Sequence, residues 1–127
     1  MNAITLRNKT YPILFDLTAV AQIQQRYGDI AKVTEAMQNT EEICWLLSLI
    51  INEGQKLQAL EYGAPSHPLS QDDVATLLTL QDMNSPQLIA SIVDAFNECL
   101  GAEKNLTAGQ LTAVGQMILT NQSTLPG

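Results

Sequence analysis

The sequence is poor in the residue types that mark several functional classes. Its 127 residues include one histidine, two cysteines and only 5% aromatic residues. Two cysteines, Cys44 and Cys99, are too few for the disulfide framework of a short secreted chain, so we expect buried, reduced thiols. One histidine, without a second histidine or a cysteine at metal-ligand spacing, does not indicate a metal site.

Positive charge and long apolar runs are also scarce. Six basic residues against 13 acidic residues give a formal net charge of −7. The basic residues are scattered singly, and this charge balance opposes binding to nucleic acid or to an anionic membrane surface. The longest apolar run spans residues 43–51, whereas a membrane helix needs about 20 residues. No apolar signal-peptide core precedes residue 10, so the expected location is the cytoplasm.

The hydrophobic residues, which make up 46% of the chain, are arranged mostly at helical spacing. Residues 1–15 alternate as a β-hairpin with its turn predicted at Asn8 and Lys9, in which Pro12 is tolerated only where its missing N–H faces outward. Residues 16–120 are predicted to form helices, and residues 121–127 are predicted to form a flexible tail. The expected fold is a mainly α (α+β), multi-helix single domain over residues 1–127 with a short N-terminal β-hairpin.

Local signals predict where the helices begin and end. A helix that starts at Thr40 is apolar nearly all round over residues 43–51, so we expect it to be central and covered on several sides. The other boundary signals are caps, glycines and a proline in a first turn: Asp16 or Thr18, Gly28, Asp29, Gly63, Ser70 with Asp73, and Ser85 with Pro86.

The chain shows no glycine-rich phosphate loop and no nucleophile motif. The adjacent acidic pairs, Glu41 with Glu42 and Asp72 with Asp73, lie in helix first turns, where carboxylates interact favourably with the helix dipole. We therefore predict a protein that is not an enzyme, with no catalytic, cofactor-binding or metal-binding residues. An alternative remains open, in which a small acidic enzyme or regulatory subunit has its site near His67 and the turn at Asp72 and Asp73.

Apolar residues in two helical segments are candidates for binding a partner. Trp45 and Leu49 belong either to the core or to an exposed patch that contacts a partner helix or a second copy of the chain. Leu111, Val114 and Ile118 raise the same question in a helix weakened by two glycines. These five residues are the predicted partner-binding set.

Three segments carry a resemblance to a known family. They are residues 15–21 (FDLTAVA), residues 24–30 (QQRYGDI) and residues 45–47 (WLL). An extended strand ending in Phe-Asp, a helix closed by an aromatic-Gly pair and a later Leu/Trp-rich helix resemble the tail assembly chaperones of long-tailed phages and prophages. The resemblance covers roughly residues 11–62, and Gln24 departs from it because such proteins often have an acidic residue there.

The resemblance implies a non-catalytic chaperone that binds the tape measure protein and aids polymerisation of the tail tube. Its implied partners are the tape measure protein and the tail tube protein, and it implies no cofactor. Self-association is a separate expectation, which rests on the apolar residues named above. The protein is then expected in the cytoplasm of the bacterial host and not in the mature virion. The alternative within the same system is a structural tail component, a tube or completion protein, that stays in the particle.

Overall fold

The computed structural model describes residues 1–100, in which an N-terminal β-hairpin is followed by helices, and this confirms the predicted fold class. The predicted partner-binding residues Leu111, Val114 and Ile118, and the tail predicted over residues 121–127, lie outside the described residues. In chain order the elements are β1 (Ala3–Leu6), β2 (Lys9–Pro12), α1 (Leu17–Tyr27), a 3-10 turn (Ile30–Lys32), α2 (Val33–Ala36), α3 (Thr40–Tyr62), α4 (Gln71–Leu77), α5 (Leu80–Met83) and α6 (Pro86–Leu100).

The hairpin turns one residue earlier than the sequence pattern suggested. Leu6 pairs with Lys9, so the turn residues are Arg7 and Asn8, not Asn8 and Lys9. Both have a positive φ, 51° and 67°, which a two-residue hairpin of this kind requires. Asn8 is a residue that tolerates this region well.

Pro12 occupies a position on β2 that needs no hydrogen-bond donor. It lies opposite Ala3, and the next residue, Ile13, donates its N–H to the Asn2 carbonyl oxygen at 2.9 Å. Because successive N–H groups of a strand point to opposite sides, the ring nitrogen of Pro12 faces away from β1. The missing N–H of Pro12 therefore faces outward from the hairpin, as the sequence required.

Helix α3 lies at the centre of the described residues, as its apolar sequence predicted. It contacts α1, α2, α4 and β2. Gly54 allows the hairpin strand to cross α3 closely, because a Cβ atom at this position would lie 2.7 Å from the Pro12 carbonyl oxygen. The Ile50 carbonyl oxygen accepts a hydrogen bond from the Leu14 N–H at 3.0 Å, which ties the chain after β2 to the same helix. The fully buried large side chains are Leu6, Ile13, Ile23, Val33, Ile43, Leu46, Leu47, Ile50, Ile51, Ile92 and Phe96.

Most of the predicted helix boundaries are confirmed. Asp16 caps α1 by accepting a hydrogen bond from the Ala19 N–H at 2.8 Å, and Gly28 ends this helix with φ 79°. Gly63 ends α3 with φ 68°. The Ser70 capping box begins α4 as expected. Helix α5, which has only four residues, was not predicted from the sequence.

Candidate partner-binding cleft

An open cleft of about 300 Å³ lies along one face of α3 and contains both described members of the predicted partner-binding set. The α3 residues in it recur at three- and four-residue intervals, which places them on one side of the helix. Gln22 of α1 forms one wall, and Ser66 and Pro68 form the other. We call it the Trp45 cleft; its α3 lining is Trp45, Ser48, Leu49, Asn52, Glu53 and Lys56.

Trp45 is partly buried and is held in place by the end of α1. The Arg26 guanidinium carbon lies 4.4 Å from the centroid of the indole ring, within the range of a cation–π contact. The Tyr27 ring meets the same indole edge-to-face, with centroids 5.9 Å apart. The indole is therefore fixed from two sides while part of it remains accessible in the cleft.

Glu42, in the first turn of α3, holds both of these α1 residues. Its Oε1 accepts hydrogen bonds from Arg26 Nε at 3.2 Å and from the Tyr27 hydroxyl at 3.0 Å. The hydrogen bond from Arg26 lowers the pKa of the Glu42 carboxyl group, and the pKa of Tyr27 is raised, first by burial and then by Glu42. An ionised Glu42 thus orients Arg26 and Tyr27 against Trp45.

Leu49 lies one helical turn after Trp45 and is 8% exposed. It lines the floor of the cleft while most of its surface packs into the core. Between them, the Ser48 hydroxyl donates to the Trp45 carbonyl oxygen at 2.9 Å, so this polar group is paired within the helix. The prediction that these residues bind a partner stays a prediction, with Trp45 the more accessible of the two.

The far wall of the cleft is an extended segment, residues 64–69, which we call the strap. Two amide side chains of α3 each bind the backbone of one strap residue at two points. Asn52 accepts from the Leu69 N–H and donates to the Leu69 carbonyl oxygen, both at 2.8 Å. Gln55 does the same for His67, at 2.6 and 3.1 Å. The strap backbone is therefore paired much as a β-strand would be, but with side chains of a helix.

The end of the cleft is charged. Glu53 is 4% exposed, and its Oε2 lies 2.8 Å from Nζ of the well-exposed Lys56. Burial raises the pKa of the Glu53 carboxyl group, and nearby Asp16 adds to this rise, while the Lys56 ammonium opposes it. The opening of the cleft thus presents an ammonium group above a buried carboxyl group.

The residues of the alternative site near His67 do not point into a common pocket in the described part of the chain. His67 is exposed, and its backbone, as described above, is held by Gln55. The Asp73 carboxylate accepts a hydrogen bond from the Ser70 N–H at 2.9 Å and so serves the capping box of α4. Within residues 1–100, no group of three or more His, Cys, Asp or Glu side chains is placed to hold a metal ion, and no helix is long and apolar enough to cross a membrane.

Several residues that shape the cleft were not predicted from the sequence. Glu42 was assigned only to the helix dipole, although it also pairs with α1. Asn52 and Gln55 were not singled out. Their signal was available: two amides three residues apart in α3, just after its apolar stretch and shortly before a segment with two prolines, indicate a polar partner for that segment's backbone.

Comparisons with protein-family models, curated proteins and solved structures find no match to this chain.

Proposed function

We propose that this protein is a non-catalytic assembly factor of the phage tail assembly chaperone class, which binds a helical segment of the tape measure protein in the Trp45 cleft. The observation that carries the proposal is the position of Trp45, which is held by Arg26 and Tyr27 yet is partly open to the cleft. These three residues all belong to the segments on which the family resemblance rests. Their contact suggests why these segments occur together: they position the indole beside the cleft.

The size and chemistry of the cleft suit an apolar anchor on a helix. A volume of about 300 Å³ is at the lower end of the range for small-molecule sites, and it accommodates one or two large side chains. Tryptophan is enriched among the residues that dominate binding energy in protein interfaces. A client helix with an apolar stripe would place one such side chain against Trp45 and Leu49, in helix-in-groove fashion.

The charge of the protein suits transient holding. A net charge of −7 keeps a complex with an aggregation-prone client soluble and disfavours wrong partners. Lys56, which lines the cleft, and Arg26, which contacts Trp45, are both paired with carboxylates. We infer that the client contributes mainly apolar contacts, at moderate affinity, so that it can be released during assembly of the tail.

The proposal is tested by co-expression with a tape measure protein. We expect the wild-type chain to keep that protein in the soluble fraction, and Trp45→Ala to reduce the soluble amount severalfold. Tyr62→Ala is the matched control, because Tyr62 is an aromatic residue of the same helix, 77% exposed and outside the cleft. Precipitation of the client with the wild-type chain, or equal effects of the two variants, would count against the proposal.

Two further measurements separate the alternatives. The chain should be absent from purified virions, since its presence there at stoichiometric amounts would favour a structural tube or completion protein. His67→Ala should leave client solubility unchanged. Loss of biological activity in a folded His67→Ala variant would favour an enzymatic or regulatory site at the strap.

A further inference from the structure

The two outer edges of the hairpin are protected to different degrees. On β2, Pro12 has no N–H to offer and Lys9 places a charge on the strand. These are common devices by which exposed strand edges avoid pairing with other chains. The strap and α3 also face this edge across a cavity of about 180 Å³. The edge of β2 is thus poorly suited to accept another strand.

The outer edge of β1 carries neither a proline nor a charged residue, so it lacks the first two of these protections. Because Leu6 faces Lys9 across a two-residue turn, the hydrogen-bonded pairs include Ile4 with Tyr11, and the backbone groups of Ala3 and Thr5 point away from β2. No hydrogen bond to these outward groups is found in the described part of the chain. Ala3 and Thr5 are also exposed. The edge therefore offers two N–H donors and two carbonyl acceptors at the spacing of a strand.

A groove runs beside this edge. It has a volume of about 200 Å³ and lies between β1 and the start of α6; we call it the β1 groove. The wall opposite β1 consists of Asp82, Ser85, Gln87, Leu88 and Ser91. A helical wall beside the edge obstructs the approach of a second hairpin with its own helices, whereas a single extended chain is narrower and is the occupant that this edge favours. Asp82 is the only charged residue of this lining, so it favours a basic side chain in the occupant.

We propose that the β1 groove binds an extended segment of a partner polypeptide, which adds to the hairpin as a third strand. Backbone pairing with Ala3 and Thr5 would supply affinity, as in other cases of strand addition. The groove would prefer peptides with small or β-branched side chains and with a lysine or arginine beside Asp82. This site is separate from the Trp45 cleft and does not depend on the function proposed for it.

The test uses selection from a library of random peptides of about ten residues displayed on yeast, followed by titration of an enriched peptide. We expect enriched peptides to be β-branched and to contain lysine or arginine, and to shift the amide NMR signals of Ala3 and Thr5. Thr5→Pro removes an outward N–H and should weaken binding about tenfold, whereas Thr10→Pro, directly opposite on β2, should leave it within about twofold.

A second arm leaves the protein unchanged. The enriched peptide is N-methylated at alternate residues in each of the two possible registers, and only one register should abolish binding, because only one side of the added strand pairs with β1. The proposal is overturned if no peptide is enriched, if the peptides are acidic, or if both N-methylated peptides bind as well as the parent. It is equally overturned if the chain dimerises through this edge in a manner sensitive to Thr5→Pro.

Discussion

Gly54 offers a sharp test of how α3 and the hairpin are packed, because two opposing effects meet at this residue. Replacing glycine by alanine within a helix normally stabilises the helix by about 1 kcal/mol. Here the new Cβ atom would lie 2.7 Å from the carbonyl oxygen of Pro12, 2.8 Å from its carbonyl carbon and 3.1 Å from the Ile13 nitrogen. Carbon atoms pack optimally at about 3.5–4.0 Å, so the strand and the helix must separate.

The expected cost follows from what resists this separation. The obstructing atoms belong to the backbone, which is held on both sides by the hydrogen bonds from Ile13 to Asn2 and from Leu14 to Ile50. Overpacking typically costs about 1–3 kcal/mol, and rigid backbone neighbours favour the upper half of that range. After the helix-propensity gain is subtracted, Gly54→Ala should lower the free energy of unfolding by about 1–2 kcal/mol.

The assay is thermal unfolding followed by circular dichroism. At this chain length the loss corresponds to a decrease in Tm of roughly 3–8 °C. Leu60→Gly, at a position of α3 that is 85% exposed, measures the helix-propensity effect with little change in packing. If Gly54→Ala raised the Tm, the close approach of the hairpin to α3 would be refuted, and with it the placement of the β1 groove.

Three further outcomes are expected. Glu42→Gln should shift the fluorescence of Trp45, the only tryptophan, to longer wavelength. It should also lower the free energy of unfolding by about 0.5–1 kcal/mol, because it removes a partly exposed ion pair. An unchanged spectrum would show that Glu42 does not position the indole. Asn52→Ala should speed hydrogen exchange at the Leu69 amide and cost about 1–3 kcal/mol, since it unpairs two backbone groups; unaltered exchange would contradict the strap contact. Glu53 has a pKa raised above 4.5 in the folded state, so its contribution to stability is present below pH 4.5 and is lost as the pH rises through the folded-state pKa. When the free energy of unfolding is measured with denaturant across this pH range, Glu53→Gln should lack that decline. If the wild type and the variant lost stability in parallel as the pH rose, the raised pKa of Glu53 would be contradicted.

The fold was largely predictable because its boundaries depend on local chemistry. Asp16, Gly28 and Gly63 act within a few residues of their own position, so sequence alone suffices to place them. The turn at Arg7 was misplaced because a positive φ at arginine has no strong sequence signal. Helix α5 was missed although Thr79 and Asp82 form a capping box, since a single turn has no apolar periodicity to detect.

The site was less predictable because it depends on contacts between distant residues. The spacing of Trp45 and Leu49 indicates a shared helix face but not whether that face is covered. The exposure of Trp45 depends in part on Arg26, which covers the indole only after α1 folds against α3. Arg26 lies 16 positions before its partner Glu42 in the chain. No periodicity argument contains this information, so core and surface remained open alternatives for Trp45.

The arrangement around Trp45 differs from that of an ordinary core aromatic residue. A core indole is enclosed by apolar side chains, which stabilise it without any need for charge. Here one side of the indole packs against the core, and the rest is contacted by the charged Arg26 and the hydroxyl-bearing Tyr27, both oriented by Glu42. The partly exposed ion pair between Arg26 and Glu42 contributes little to stability, yet it restricts the orientation of the groups around the ring before any partner arrives. Restriction of this kind lowers the entropic cost of association. A preorganised, partly accessible indole is therefore what the proposed contact with a client helix requires.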